Sequence, residues 1–116
     1  MNINFEALNI YVIKSPVDFR KGPESLVAIV NDTCEADPYD HSLYIFTNRA
    51  KNKLKCVLYD GTGLWMFYKK LNSGHFNWTM QQSGLVSLRQ EQLEWLLSGL
   101  CIDTGKVFPE FQPLYV

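Results

Sequence analysis

Residues 43–70 read LYIFTNRAKNKLKCVLYDGTGLWMFYKK, and this stretch decides the fold. Three runs rich in β-branched, aromatic and other apolar residues are separated by turn residues, which predicts strands over residues 43–47, 53–59 and 64–70. The connections are a five-residue basic loop and the segment 60–63, both short enough to join antiparallel neighbours. We therefore expect an antiparallel meander.

The second connection also sets the register of its two strands. A loop of two or four residues pairs Tyr59 with Leu64 and Lys53 with Lys70. Since successive side chains point to opposite faces of a strand, this register predicts two unlike faces. One face is a buried core and comprises Leu54, Cys56, Leu58, Trp65 and Phe67. The other is an exposed, basic and partly aromatic surface of Lys53, Lys55, Tyr68 and Lys70.

A strand and a helix are predicted before the meander. Residues 10–13 form a short apolar run rich in β-formers, which predicts a first strand. A helix follows from residue 22 to about residue 33, because Pro23 suits a first helical position and Glu24 favours the positive end of the helix dipole. Its apolar face is marked by Leu26, Ile29 and Val30.

After the meander, residues 75–78 are predicted to add a short fourth strand. A second amphipathic helix is predicted from about residue 88 to residue 98, with Gly99 as its C-terminal stop. Ser87 is the expected N-cap, and Gln90 is expected to complete a capping box. The apolar face of this helix comprises Leu93, Leu96, Leu97 and Leu100.

Length and composition point to one domain, and the predicted strands and helices together place it in the α+β class. The chain has 116 residues and is 47% hydrophobic, enough for a single core. We expect a small antiparallel β-meander sheet covered on one face by two main helices, within residues 1–105. Residues 106–116 contain two prolines among apolar side chains. They are expected to form an extended C-terminal arm, which either docks on the domain or contacts a partner.

Several classes of protein are disfavoured by the composition. No apolar run approaches the roughly 18–20 residues that span a bilayer, and residues 1–6 do not resemble a secretory signal. We therefore expect no membrane association and a cytoplasmic location. The three cysteines, Cys34, Cys56 and Cys101, are odd in number and widely spaced, which indicates neither a disulfide framework nor a zinc site. Cys56 is expected in the core.

Basic residues are concentrated in the meander although the whole chain has a formal net charge of −1. Closely spaced cations bind phosphates by releasing condensed counterions, so this asymmetry indicates a polyanion. The alternative is that lysines on a strand keep an edge soluble. Tyr68 and Trp78 would stack on bases if exposed, or else belong to the core. The basic residues concentrated in the meander are Arg49, Lys51, Lys53, Lys55, Lys69 and Lys70.

A second candidate segment is the loop at residues 18–22, which reads DFRKG. Arg20 suits a bidentate contact with a phosphate or carboxylate, and Lys21 adds a second cation. The start of the following helix offers free N–H groups to an anion. The alternative is that Asp18 and Arg20 pair with each other or pin the loop onto the sheet, and for Asp18 we favour this structural role.

Three acidic residues are candidate ligands for a metal ion in phosphodiester chemistry, namely Asp18, Glu24 and Asp60. Asp60 lies at a Gly-x-Gly turn and Glu24 in a first helical turn, where both residue types have ordinary structural roles. We therefore predict no catalytic residue, no bound metal and no cofactor. The sequence contains neither a Gly-x-Ser-x-Gly elbow nor a phosphate-binding P-loop.

Two ordered motifs carry a resemblance to a known family. The first is DFRKG at residues 18–22, and the second is the series FxNR, LK, YDGxG, KKL and GxFxW over residues 46–78. From about residue 10 to residue 99 the chain resembles TnpB, the small second-open-reading-frame protein of the insertion-sequence family numbered sixty-six. The resemblance implies a role in DNA transposition beside a separate, larger transposase.

These observations together predict a non-catalytic accessory protein of DNA transposition. It is expected to bind nucleic acid at the transposon ends, the transposase of the same element, or both, through the basic strand surface and the loop with Arg20 and Lys21. One alternative is an adaptor that contacts the transposase without DNA. A second alternative is a metal-dependent, nuclease-like enzyme that uses Asp18 and Asp60.

Overall fold

The computed structural model of the protein describes residues 8–34, 40–76 and 85–98. These residues form a single α+β domain with one five-stranded sheet in the order β4-β3-β2-β1-β5. The α+β class predicted from the sequence is confirmed. In chain order the elements are β1 (Asn9–Ile13), α1 (Pro23–Cys34), β2 (Ser42–Thr47), β3 (Lys53–Tyr59), β4 (Leu64–Lys70), β5 (Leu85–Leu88) and α2 (Gln90–Leu97).

The meander of β2, β3 and β4 is confirmed together with its register. Tyr59 pairs with Leu64 and Lys53 with Lys70, as the even-numbered loop predicts. The turn is closed by Asp60, whose N–H donates to the carbonyl of Gly63 at 3.1 Å. Gly61 has φ +99°, a conformation that glycine adopts without a steric penalty.

The other side of β2 pairs with β1, and this pair is parallel. Ile10 aligns with Leu43 and Val12 with Ile45, while α1 provides the crossover that returns the chain to the same end of the sheet. The sheet is therefore mixed, and the expectation of a purely antiparallel sheet is wrong at this pair. Because β1 and β2 are parallel neighbours, the C-termini of both strands lie on the same side of the sheet.

The two helices lie on opposite faces of the sheet, whereas the sequence predicted both on one face. On the α1 face, Leu26, Val27 and Val30 of the helix pack with Tyr44, Phe46 and Val57 of the strands. On the α2 face, Leu93 and Leu96 pack with Leu43, Ile45, Leu54, Cys56 and Leu58. All six residues of β2 are buried, as expected for a strand covered on both faces.

The C-terminal part of the domain differs from prediction at its strand and its helix cap. Residues 75 and 76 are not in a strand; the added strand is β5, which pairs antiparallel with β1. Ser87 lies inside β5, so the predicted cap at Ser87 and box at Gln90 are wrong. Arg89 is the N-cap instead, and its N–H donates to Oε1 of Gln92 at 2.9 Å. The helix then ends at Leu97.

Burial across the meander follows the predicted faces only in part. Leu54, Cys56 and Leu58 are buried as expected, and burial raises the pKa of the Cys56 thiol to about 12. Trp65 and Phe67 lie on the predicted face but are each 41% exposed, because β4 is the edge strand. Their predicted burial is therefore wrong.

Several predictions concern residues outside the described part of the chain. These are Trp78, Gly99, Cys101, the domain boundary at residue 105 and the arm at residues 106–116. Neither of the two helices in the described ranges is long and apolar enough to cross a bilayer.

Candidate nucleic-acid interface

Three loop segments meet at the end of the sheet where β1, β2 and β4 finish and β3 begins. The N–H of Val17 donates to the carbonyl of Thr47 at 2.9 Å, which joins the β1–α1 loop to the end of β2. The N–H of Leu71 donates to the carbonyl of Asn52 at 2.9 Å, which joins the end of β4 to the β2–β3 loop. We call this region the basic end; its cations are Lys14, Arg20, Lys21, Arg49, Lys51, Lys53 and Lys70.

The basic end unites two segments that are separate in the sequence. Pro16, Val17 and Asp18 of the β1–α1 loop line a cleft of about 260 Å³ together with Arg49 of the β2–β3 loop. Arg20 and Lys21 are therefore on the same end of the sheet as Arg49 and Lys51. Lys14 follows directly after β1 and was missed in the sequence, because its position depends on the parallel pairing of β1 with β2.

The β2–β3 loop is held in shape by Asn48. Its Oδ1 accepts hydrogen bonds from the backbone N–H groups of Asn52 and Lys53, both at 3.1 Å. Its Nδ2 donates to Oδ1 of Asn52 at 2.7 Å. Lys51 adopts φ 58°, a left-handed conformation that these contacts must maintain. Arg49, which is exposed, is thus presented on an ordered loop.

Lys55 was predicted to be an exposed phosphate contact, but it is only 8% exposed. Its Nζ donates to the carbonyls of Phe19 at 2.6 Å and Lys21 at 3.1 Å, and lies 5.1 Å from the centre of the Phe19 ring. The β1–α1 loop covers this part of the sheet, so the exposure inferred from strand alternation is wrong here. Lys55 instead ties the loop that carries Arg20 and Lys21 to β3.

Asp18 and Arg20 form the ion pair that was one of the two interpretations of this loop. Nη2 of Arg20 lies 2.7 Å from Oδ2 of Asp18, and the Arg20 backbone N–H donates to Oδ1 at 2.9 Å. The side-chain hydrogen bonds from Arg20 hold the pKa of the Asp18 carboxyl well below its usual range. The Arg20 side chain is still 92% exposed. Because Asp18 partly neutralises its charge, Arg20 would attract an anion less strongly than Arg49 would.

Lys53 and Lys70 are direct cross-strand neighbours. Like charges at such positions repel and destabilise a sheet, unless an anion lies between them. Within the described ranges, neither lysine forms an ion pair with a carboxylate. Tyr68 is on the same face, 53% exposed, with its ring centre 6.3 Å from that of Phe19. An anionic group would therefore relieve a repulsion that the fold itself creates.

Lys69 is separated from the other predicted site residues. Strand alternation places it on the α2 face, where its Nζ donates to the carbonyl of Leu97 at the end of α2. The structure thus brings together Arg20, Lys21, Arg49, Lys51, Lys53, Tyr68 and Lys70. It assigns Lys55 and Lys69 to contacts within the protein.

The carboxylates proposed as metal ligands do not converge. Asp18 lies at the basic end, whereas Asp60 lies at the far end of β3, about 20 Å away for a strand of this length. Asp60 organises the β3–β4 turn: its Oδ1 accepts from the Thr62 N–H at 2.9 Å, and its Oδ2 accepts from Trp65 Nε1 at 2.7 Å. The hydrogen bonds from Thr62, then Trp65, lower the Asp60 pKa. Among the described residues, no group of three acidic, histidine or cysteine side chains is placed to hold a metal ion.

Comparisons with known proteins agree with the resemblance seen in the sequence. The family described as IS66 Orf2 like protein matches residues 8–106. Uncharacterized protein y4jC of Sinorhizobium fredii (strain NBRC 101917 / NGR234) is 36% identical over 109 residues, covering 94% of this chain and 93% of that protein. Uncharacterized protein y4hO of the same organism is 31% identical over 93 residues, covering 80% and 81% respectively. No solved structure matches the chain significantly.

Proposed function

The chain belongs to the IS66 Orf2-like protein family, and from this premise we propose that it is a non-catalytic accessory protein of transposition that contacts the DNA backbone through its basic end. The family itself associates the chain with the transposition machinery of IS66 elements. DNA contact and the absence of catalysis are the parts that we propose.

The observation that carries the proposal is the assembly of cations from three segments at one end of the sheet. Arg49 and Lys51 come from an ordered loop, and Lys53 faces Lys70 across the β3–β4 pair. A row of phosphates would neutralise these charges and release condensed counterions, which favours binding. The repulsion between Lys53 and Lys70 would then be offset in the complex.

This geometry supports contact with phosphates more than recognition of bases. The cations lie on loops and strand ends, and both helices of the described residues pack their apolar sides against the sheet. Phosphate contacts fix position and orientation but carry no sequence information directly. We therefore expect similar affinity for transposon ends and for unrelated duplexes, with selectivity for the ends supplied by the transposase of the same element as partner.

The two alternatives predict different behaviour. An adaptor would use the same cations on an acidic surface of the transposase, and it would bind the transposase without binding DNA. A nuclease-like enzyme would need converging carboxylates, and the separation of Asp18 from Asp60 along β3 argues against that pair.

The test is the salt dependence of DNA affinity for the parent and for the triple variant Arg49→Ala/Lys53→Ala/Lys70→Ala. For the parent we expect log affinity to fall steeply and linearly with log salt. The triple variant should bind more weakly, with a slope flatter by up to about 2.7, since each phosphate contact contributes about 0.9. Unfolding in urea checks that the variant remains folded.

Identical affinity and slope in the two proteins would refute the basic end as the DNA site. If the parent binds the transposase but shows no DNA binding, the adaptor replaces the proposal. If the parent cleaves DNA with Mg²⁺ or Mn²⁺, and Asp18→Ala or Asp60→Ala abolishes the cleavage, the non-catalytic role is wrong.

A further inference from the structure

The edge strand β4 is exposed on both faces over its apolar positions. Trp65 and Phe67 lie on the α2 face, and Met66 and Tyr68 on the α1 face, with exposed fractions between 39% and 53%. The rings of Trp65 and Phe67 stack, with centres 6.3 Å apart and planes 9° apart. Edge strands are usually protected by charge, by proline or by shortness, because an open edge pairs with other chains. In β4 only the last two of seven residues are charged.

The backbone groups that β4 presents to its open edge can be identified from the hairpin. The N–H of Asp60 donates to the carbonyl of Gly63, and the N–H of Leu71 donates to the carbonyl of Asn52. In an antiparallel pair, hydrogen-bonded residue pairs recur at every second position from one end of the hairpin to the other. Residues 65, 67 and 69 therefore bond to β3. The N–H and C=O groups of Leu64, Met66, Tyr68 and Lys70 point outward, and no strand of the described ranges pairs with them.

The outward N–H and C=O groups of β4 can pair with the same groups of a second copy. If a second β4 runs antiparallel about a two-fold axis at Phe67, Leu64 pairs with Lys70 of the second copy and Met66 pairs with Tyr68. Those pairs recur by symmetry, so all four outward residues exchange both hydrogen bonds. If the axis lay at Met66 instead, Lys70 would lie opposite Thr62 of the second copy, which is in the turn before β4 and not in the strand.

The side chains fit the same register. Phe67 lies opposite Phe67 of the second copy, and Lys69, whose Nζ donates to the carbonyl of Leu97, lies opposite the uncharged Trp65. No lysine faces another lysine, so the like-charge repulsion that would oppose other registers is absent. Cross-strand aromatic pairs of this kind stabilise antiparallel strands beyond the backbone hydrogen bonds.

We propose that two copies of the chain associate through antiparallel pairing of their β4 strands about Phe67, which joins their sheets into one continuous sheet. The paired strands run in opposite directions, so the two basic ends lie at opposite ends of the joined sheet. Of the basic-end cations, only Lys70 lies on the paired strand. Dimerisation can be measured in the absence of DNA, so its outcome is distinguishable from that of the proposed DNA contact.

The first test is the molar mass in solution, measured by light scattering and by sedimentation over a wide range of protein concentration. We expect the parent to approach twice the chain mass of 13.4 kDa as its concentration rises. Met66→Pro should remain monomeric where the parent is dimeric, because it removes an outward N–H and none of the hydrogen bonds to β3. A parent that stays monomeric throughout, including in the presence of DNA, overturns the proposal.

A second pair of variants keeps the test valid if Met66→Pro fails to fold. Phe67→Lys places like charges opposite each other on the two-fold axis and should also give a monomer. Thr62→Lys adds the same charge at the hairpin tip, outside the paired residues, and should dimerise as the parent does. A dimer that is unaffected by Phe67→Lys uses another surface, which contradicts the proposal.

Disulfide formation tests the register itself. Cys56 lies opposite Phe67 on β3, so the background for this test is Cys34→Ser/Cys56→Ala/Cys101→Ser. In that background Phe67→Cys should form a disulfide between copies under mild oxidation, because non-hydrogen-bonded partners have Cα atoms about 4.5 Å apart, within disulfide range. Thr62→Cys should not. Equal cross-linking at both positions, or none at residue 67, would contradict the register.

Discussion

Replacing Lys55 by Met gives the sharpest test of how the basic end is built. The substitution keeps a long apolar stem but removes the Nζ that donates to the carbonyls of Phe19 and Lys21. Hydrogen bonds from a charged donor contribute about 1.5–3 kcal/mol each, and desolvation of the ammonium group offsets part of the sum. We therefore expect Lys55→Met to lower the free energy of unfolding by about 2–4 kcal/mol.

The matched control is Lys53→Met, two residues earlier on the same strand and face. Lys53 is half-buried and faces Lys70, so its replacement removes a repulsion and no hydrogen bond of the side chain. We expect a change within about 0.5 kcal/mol of the parent. Urea unfolding followed by tryptophan fluorescence measures both variants. If Lys55→Met is as stable as Lys53→Met, the buried lysine does not hold the loop and our account of the basic end is wrong.

Further predictions concern the two turns of the meander. Asn48→Ala should destabilise the protein by about 1–3 kcal/mol in urea, because it leaves two N–H groups of the loop without their acceptor, whereas Asn48→Asp should recover most of the loss. Asp60 has a lowered pKa, so its stabilising effect is present above the ordinary carboxyl pKa and is lost as pH falls; Asp60→Asn should flatten the fall in thermal stability below about pH 4. Gly61→Ala should cost about 1–2 kcal/mol from its positive φ, while Gly63→Ala should be nearly neutral in the same assay.

The hairpin of β3 and β4 was predictable to the residue because its information is local. Asp60 accepts hydrogen bonds from the backbone of Thr62 and Gly63, at 2.9 and 3.0 Å, within its own turn. Those contacts need no distant partner, so the sequence of the turn is sufficient to set the register. The same holds for α1, where Pro23 begins the helix as predicted.

The parts that were mispredicted depend on contacts between distant segments. Residues 85–88 become a strand because β1 offers them an open edge, and that edge exists only once the crossover through α1 has formed. The sequence of β2 does carry one signal of the layering: it is apolar at four successive positions, 43–46, which indicates a strand covered on both faces. It favours helices on opposite faces of the sheet, as found.

In the candidate site, too, some features follow from the local sequence and others depend on distant segments. Lys53 and Lys55 have the same residue type and lie on the same face of the same strand, yet only Lys55 is buried. The difference arises because the β1–α1 loop lies over Lys55, and strand alternation carries no information about a loop that is more than thirty residues away. Strand alternation does separate Lys69 from Lys70, and this could have been inferred from the sequence.

The central claim, that the basic end contacts DNA phosphates, is tested most directly by comparing Arg49→Ala with Arg89→Ala in one DNA-binding titration. Both variants lose one positive charge, but Arg89 is the N-cap of α2 and follows Leu88, which pairs with Ile10 at the opposite end of β1. There Nη1 of Arg89 lies 2.9 Å from Oε1 of Glu91. At about 0.15 M salt we expect Arg49→Ala to bind a duplex about fivefold more weakly than the parent, from about 0.9 counterions released per phosphate contact. Arg89→Ala should match the parent. Equal losses in the two variants would mean that only net charge matters and would contradict the claim.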